Sequence, residues 1–158
     1  MLQRNFPADQ KCFAVFCENR AEALISLVAI LKSRVPGLLI GWSDHDDFRL
    51  GCAGRRPELV VCSSGCLAAV LTAAPAMPWL KEVLVANGGA PLPDAAELRV
   101  KIRSLEKFLQ EVPLKEVPVG PLRDEDTCLY VPPSRGSMMH SCSALTFDQI
   151  GFAIRQML

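Results

Sequence analysis

A turn between residues 132 and 140 has the residue types of an anion-binding loop. It follows a short apolar run at 128–131 and leads into a segment with a histidine. A strand, a turn and a helix start are the parts of a phosphate loop, because free amides at a helix start favour negative charge. The turn has one glycine and no lysine, so a helix start without a ligand is favoured over a weak hold on a phosphate or carboxylate. The residues concerned are Ser134, Arg135, Gly136, Ser137 and His140.

Polar residues after two other apolar runs could also carry chemistry. Asp44, Asp46 and Asp47, with His45, could hold a divalent cation, but a charge run is more often a solvated loop. A signalling receiver is the weakest hypothesis, because the chain lacks the aspartate that a receiver needs after its third strand. Ser63 and Ser64 have a glycine on only one side. A helix N-cap at Ser64 is therefore favoured over a nucleophile.

A glycine pair and a cysteine pair complete the candidates. Asn87, Gly88 and Gly89 could present backbone donors to an anion, or could form only a tight loop. Cys62 and Cys66 lack a second pair or histidines at a matching spacing, so no zinc site is predicted. We therefore expect no metal, no cofactor and no catalytic residue.

The overall charge and apolarity favour a protein partner over a nucleic acid or a membrane. The 17 basic residues balance the 17 acidic ones, so no basic footprint for nucleic acid or anionic lipid remains. Apolar residues make up 50% of the chain, and a neutral, apolar chain is a poor lone monomer. The longest apolar stretches are about half a membrane span, so no span is predicted.

The cysteines indicate a reducing compartment. There are 7 of them, an odd number, and most lie in apolar runs, as is typical of buried thiols rather than of disulfides. The N-terminus has no apolar signal core, so secretion is not expected. We expect an intracellular protein, either in the cytoplasm or in an organelle such as the mitochondrion.

Apolar runs alternate with amphipathic helices and predict one α/β domain over residues 1–158. Continuous apolar runs are typical of a parallel sheet that is covered on both faces. We expect a three-layer, Rossmann-like or flavodoxin-like fold with about five strands. The predicted strands are 12–17, 38–42, 59–63, 82–86 and 128–131, and the predicted helices are 18–34, 65–75, 94–112 and 143–158. Three prolines make 113–127 an extended connection.

The apolar residues of two predicted helices, 18–34 and 143–158, are divided between the core and a surface for a partner. The spacing in helix 18–34 predicts that Leu24, Leu27, Val28 and Leu31 face the core, with Ile25 and Ile30 broadening that face. The last helix, with the connection 113–127 beside it, is expected to contact another protein. The candidate contact residues are Phe147, Ile150, Phe152, Ile154, Met157 and Leu158.

The order of elements resembles the N-terminal domain of adenylate-forming enzymes, the acyl-CoA synthetase group. Residues 13–33, 55–90 and 124–145 carry the likeness. The last of these segments is collinear with that family's phosphate loop, a run rich in threonine, serine and glycine that contains a lysine. Residues 132–137 of this chain keep neither that run nor the lysine. Only Gly136, Met139 and His140 match residue types that this family has in and just after its phosphate loop.

The resemblance implies the first lobe of an adenylating enzyme without its active site. The chain ends at Leu158, before the segments that supply the family's adenine contacts, metal-binding glutamate and catalytic lysine. Catalysis depends on positioning and on compensating charge at the transferred group. We therefore expect a non-catalytic interaction or structural protein, an accessory subunit that contacts other protein subunits. A small nucleotide- or acyl-group-binding domain that uses the strand-end loops is the alternative.

Overall fold

The computed structural model describes residues 12–18, 21–33, 35–41, 45–93, 99–111, 123, 125–131 and 143–157. The strands in these ranges are β1 (Phe13–Phe16), β2 (Gly37–Leu39), β3 (Leu59–Ser63), β4 (Glu82–Ala86), β5 (Lys101–Ser104), β6 (Thr127–Val131) and β7 (Ser143–Thr146). The α-helices are α1 (Ala21–Ser33), α2 (His45–Ala53), α3 (Ser64–Ala73), α4 (Leu105–Glu111) and α5 (Phe147–Met157). Most of the predicted connection 113–127 lies outside the described ranges, and its last residue, Thr127, begins β6. None of the helices described is long and apolar enough to cross a membrane.

The strands form one sheet in the order β5-β4-β3-β1-β2-β6-β7. All neighbouring strands run parallel except β6 and β7, which are antiparallel. The α/β class and the mainly parallel sheet are therefore confirmed. From the central strand β1 the chain proceeds to β2 on one side and then returns to β3 on the other. The strand order thus reverses between β1 and β3, and open parallel sheets bind ligands at the carboxyl ends of strands at such a point.

Helices cover both faces of the sheet, as predicted. Ala14 and Val60 are in register on one face and belong to a buried cluster with the inner sides of α2 and α3. Val15 and Leu129, on the opposite face, belong to a second cluster with Ile30 of α1 and the start of α5. The sheet and the two layers of helices give the expected three layers.

The predicted helix 94–112 is wrong over the four residues of β5. This segment pairs with β4, and only α4 is helical. Ile102 packs against the core, and Arg103 Nε donates to a carboxylate oxygen of Glu82 on the neighbouring strand at 2.5 Å. These contacts override the helical pattern, since helix propensity is a weak preference. Residues 94–98 lie outside the described ranges.

The predicted helix 143–158 is also wrong at its start, where β7 pairs with β6 and α5 begins only at Phe147. The Thr146 hydroxyl accepts a hydrogen bond from the Gln149 N–H at 3.3 Å, and Gln149 Oε1 accepts one from the Thr146 N–H at 3.0 Å. This reciprocal pair is a capping box, which fixes the first turn of a helix. The helix therefore starts after Thr146.

Part of the predicted core face of α1 lies on the surface. Ile30 is fully buried, whereas Leu24, Ile25 and Val28 are 62%, 56% and 45% exposed. Ile30 packs on Gly37 of β2, where a methyl group would stand 2.0 Å from the Ile30 Cδ1 atom. The fit between this branched side chain and the glycine fixes Ile30 inward. Leu27 and Ile30 pack inward as predicted, whereas Leu24, Ile25 and Val28, which were also predicted to face the core, lie on the outer surface.

Candidate functional site

The carboxyl ends of β1 and β3 meet at the point where the strand order reverses. Ser63 ends β3 in an extended conformation, and α3 starts with Ser64. The predicted N-cap at Ser64 is therefore wrong: Ser63 precedes the helix, and its hydroxyl makes no cap bond to the helix backbone. That hydroxyl donates to Cys66 Sγ at 3.3 Å and accepts a hydrogen bond from the Glu18 N–H at 3.4 Å. A serine that donates to a thiol is not activated as a nucleophile.

The carboxylate of Glu18 fills the space above the first turn of α3. A Cβ atom on Gly65 would stand 2.5 Å from Glu18 Oε1, so the glycine permits this close approach. The first turn of a helix offers free amides and the positive end of the helix dipole, which is where anions bind in such sheets. A carboxylate of the protein itself thus lies where a phosphate or carboxylate ligand would be held.

Three thiols lie close to this point: Cys17 after β1, Cys62 in β3 and Cys66 in α3. Burial, and then the neighbouring Cys66, raises the pKa of the Cys17 thiol to about 12. Burial also raises the pKa of the Cys62 thiol. Thiols of this kind stay protonated at neutral pH and are weak nucleophiles. The three thiols therefore belong to the buried interior of the protein.

The remaining cysteines and acidic residues that the structure describes add no metal site. The six cysteines that the structure describes are all buried and none is in a disulfide, which agrees with the prediction of buried thiols. Asp46 and Asp47 fall in the first turn of α2, and Asp44 lies outside the described ranges. Within the part of the chain that is described, no three His, Cys, Asp or Glu side chains are placed to hold a metal ion.

A second carboxylate is bound at the carboxyl end of β4. The N–H groups of Asn87 and Gly88 donate to Glu106 Oε1 at 3.1 and 2.9 Å, and the Ser104 hydroxyl donates to Glu106 Oε2 at 2.6 Å. Desolvation raises the pKa of Glu106, but these hydrogen bonds together bring the pKa below its ordinary value. The backbone donors considered from the sequence are thus present, and their anion is a side chain of the same protein.

Glu106 is a residue that sequence reasoning missed, because it was placed in the middle of a helix. The signal that could have found it is a serine two residues before a glutamate, at a point where a strand parallel to β4 can end. Serine favours the residue before a helix, and glutamate favours its first turn. The Ser104 hydroxyl indeed accepts a hydrogen bond from the Lys107 N–H at 3.3 Å.

The predicted anion-binding turn, Ser134–Ser137 with His140, lies outside the described ranges, so its role stays a prediction. Its flanks are described: Val131 at the end of β6 and Ser143 at the start of β7 are partners in antiparallel register. In a phosphate loop the turn leads directly into the helix. Here an antiparallel strand precedes α5, so the order of elements differs from the predicted strand, turn and helix.

The candidate partner residues on α5 divide into two groups. Phe147 and Ile150 are half-buried against the cluster of Val15 and Leu129, so they serve the core of this protein. Phe152 is 58% exposed. The side chains of Ile154, Met157 and Leu158 lie outside those described.

Three solved structures show what the fold is similar to. A natural red-emitting luciferase from Phrixothrix hirtus matches at a TM-score of 0.67 and 17% identity, over 87% of this chain and 33% of the luciferase. The anthranilate CoA ligase AuaEII, solved with anthranoyl-AMP, matches at a TM-score of 0.65 and 14% identity, over 86% of this chain and 23% of the ligase. A protein assigned as a long-chain-fatty-acid CoA ligase from Rhodopseudomonas palustris matches at a TM-score of 0.66 and 11% identity, over 93% of this chain and 34% of that protein.

The other comparisons gave nothing: no protein-family model matches the chain, and no curated protein does. The chain spans about a third or less of each of the three structures. At these identities the likeness shows the fold alone. This protein therefore has a fold that recurs as part of luciferases and CoA ligases, which agrees with the predicted resemblance to adenylate-forming enzymes.

Proposed function

We propose that this protein is a non-catalytic interaction module with the fold of the first lobe of an adenylate-forming enzyme, and that it serves as an accessory subunit of a larger assembly. The observation that carries the proposal is the exposure of Leu24, Ile25 and Val28 on α1. Phe152 of α5 is exposed as well, and both helices pack on the same face of the sheet. These four residues are called the α1/α5 surface below.

The three α1 residues are close enough to act together. Leu24 and Val28 are four residues apart, so they are neighbours on the helix surface, and Ile25 lies beside them. Single exposed apolar residues are ordinary, whereas grouped ones mark interfaces. Apolar surface left in water costs about 25 cal/mol per Å² relative to burial. A partner that covers this surface would therefore stabilise the protein.

The absence of catalysis in this proposal is supported at the carboxyl edge of the sheet. Glu18 and Glu106 occupy two positions where a ligand anion could lie. The thiols Cys17 and Cys62 have raised pKa values and are protonated at neutral pH. The turn at 132–137 has no lysine to compensate the charge of a transferred phosphoryl group.

Substitutions that introduce a charge test the proposal against a matched control. The protein carrying Leu24→Asp and Phe152→Asp should stay folded but lose a stoichiometric partner when tagged protein is isolated from the cells that make it. Leu50→Asp is the control, because Leu50 is 65% exposed on α2, on the other side of the sheet. Partner loss with the double variant and retention with Leu50→Asp is the expected result. Equal retention by both would refute the surface.

The second candidate is a small nucleotide- or acyl-group-binding domain, which is favoured by one observation: a structure with this fold was solved with anthranoyl-AMP. Titration with ATP, AMP and acyl-adenylates separates the two functions. The accessory role predicts no saturable binding and no pyrophosphate exchange with ATP and fatty acids. Exchange above background that is lost in Arg135→Ala would favour the second candidate.

A further inference from the structure

The turn after β4 is arranged to hold a carboxylate. Its two consecutive amides, from Asn87 and Gly88, converge on one oxygen of Glu106, and the Ser104 hydroxyl contacts the other. Three donors for two oxygens match a planar carboxylate well. None of the three donors is charged, so a monoanion suits the turn better than a dianionic phosphate.

The donors are positioned by contacts that do not involve Glu106. The Ala90 N–H donates to the Asn87 carbonyl at 3.1 Å, which closes the turn, and Gly88 has a φ of +60°, a conformation that glycine adopts without strain. Ser104 is in register with Val85 of β4. The sheet therefore brings the amides and the hydroxyl together independently of the side chain that they bind.

We propose that this turn is a carboxylate-binding site that Glu106 occupies from within the chain, and that a free monocarboxylate takes the site once the Glu106 side chain is removed. The inference does not depend on the partner proposed above. A methyl group at Gly88 or Gly89 would contact nothing within 4 Å, so the turn is open to solvent on its glycine side. A small carboxylate such as acetate can therefore reach the donors.

Acetate titration of Glu106→Ala tests the site, with thermal unfolding as the measurement and chloride replacing acetate at constant ionic strength. The variant should unfold about 2–4 °C below the wild type, the shift that the loss of one set of hydrogen bonds gives in a chain of this size. Acetate should restore part of that loss and saturate. The Tm of wild type, and likewise the Tm of Glu111→Ala, should be the same in acetate as in chloride. Glu111→Ala is the control because Glu111 is also a glutamate of α4, but its carboxylate lies 3.7 Å from Arg103.

Removing the third donor makes the test sharper. Ser104→Ala combined with Glu106→Ala should weaken the acetate effect, because one of the two carboxylate oxygens loses its partner. An equal acetate effect in wild type, Glu111→Ala and Glu106→Ala would overturn the proposal, and so would no effect in any of them.

A second variant covers the case in which Glu106→Ala does not fold. Glu106→Asp keeps the charge but is one methylene shorter, so it withdraws the carboxylate from the amides. Acetate should then shift the amide resonances of Asn87 and Gly88 in a saturable way, by more than the other amides of the protein. Resonances that do not move would overturn the proposal.

Discussion

Replacing Gly37 with alanine should destabilise the protein through one side chain, Ile30. The added methyl carbon would stand 2.0 Å from Ile30 Cδ1 and 2.5 Å from Cγ1, far inside the normal carbon contact of about 3.5–4.0 Å. Ile30 is fully buried and cannot swing into solvent. Overpacking of this kind costs about 1–3 kcal/mol. Ile30→Ala alone should cost about 2–5 kcal/mol because it leaves a cavity.

The double variant Gly37→Ala/Ile30→Ala decides whether this contact is the cause. Its new methyl group lies in the cavity that the isoleucine leaves, so its loss of stability should be at least about 1 kcal/mol smaller than the sum of the single losses. Urea unfolding of the four proteins measures the free energies. Losses that add to within about 0.5 kcal/mol would refute the contact. They would also refute the orientation of α1 that places Leu24 and Val28 on the outer surface.

Three other predictions concern the carboxylate, the thiols and the last helix. The pKa of Glu106 is lowered in the folded protein, so its carboxylate should stabilise the protein above the unfolded pKa of about 4.3 and lose this effect as the pH falls through the folded value. Urea unfolding from pH 7 to pH 3 should therefore show that the difference in unfolding free energy between wild type and Glu106→Gln becomes smaller in acid. A difference that grows in acid would contradict this. The pKa of Cys17, about 12 against an ordinary 9.0, predicts that this thiol is alkylated roughly 1000-fold more slowly in native than in denatured protein at pH 8. The stability that the protonated thiol contributes should be lost as the pH rises from 9 towards 12. Fast labelling of Cys17 in folded protein, mapped by mass spectrometry, would count against this. Thr146→Ala removes the capping box and should cost about 1 kcal/mol in urea unfolding, whereas the exposed control Thr72→Ala, whose hydroxyl bonds only to the carbonyl one turn earlier in α3, should change stability by less than about 0.5 kcal/mol.

The sequence was informative where one pattern dominated a segment. The buried parallel strands β1, β3, β4 and β6 are continuous apolar runs, and such runs have few other uses in a chain of this size. Their prediction fixed the fold class. The segment of β5 was predicted as helix because Leu98, Ile102, Leu105 and Leu109 fall at helical spacing. It forms a strand because it pairs with β4, a contact that no local pattern encodes.

The candidate site could be predicted only in part. The glycines after β4 indicated backbone donors, but the partner, Glu106, comes from another strand–helix junction, so only the assembled sheet shows the pair. The same holds for Glu18 above Gly65. The apolar stripe of α1 is broader than the surface it covers, so the predicted core face held the inward residues Leu27 and Ile30 together with Leu24, Ile25 and Val28, which lie outside. The inward direction is set by the fit of Ile30 against a glycine in β2. Periodicity cannot resolve such a choice.

The native mass of the assembly that contains this protein tests the central claim most directly. Light scattering coupled to size exclusion, on tagged protein isolated gently from the cells that make it, gives that mass. A permanent accessory subunit predicts a particle well above the chain's own 17.3 kDa, with a second protein in fixed ratio. A single species of 17.3 kDa, stable at high concentration with the α1/α5 surface exposed, would contradict the accessory role.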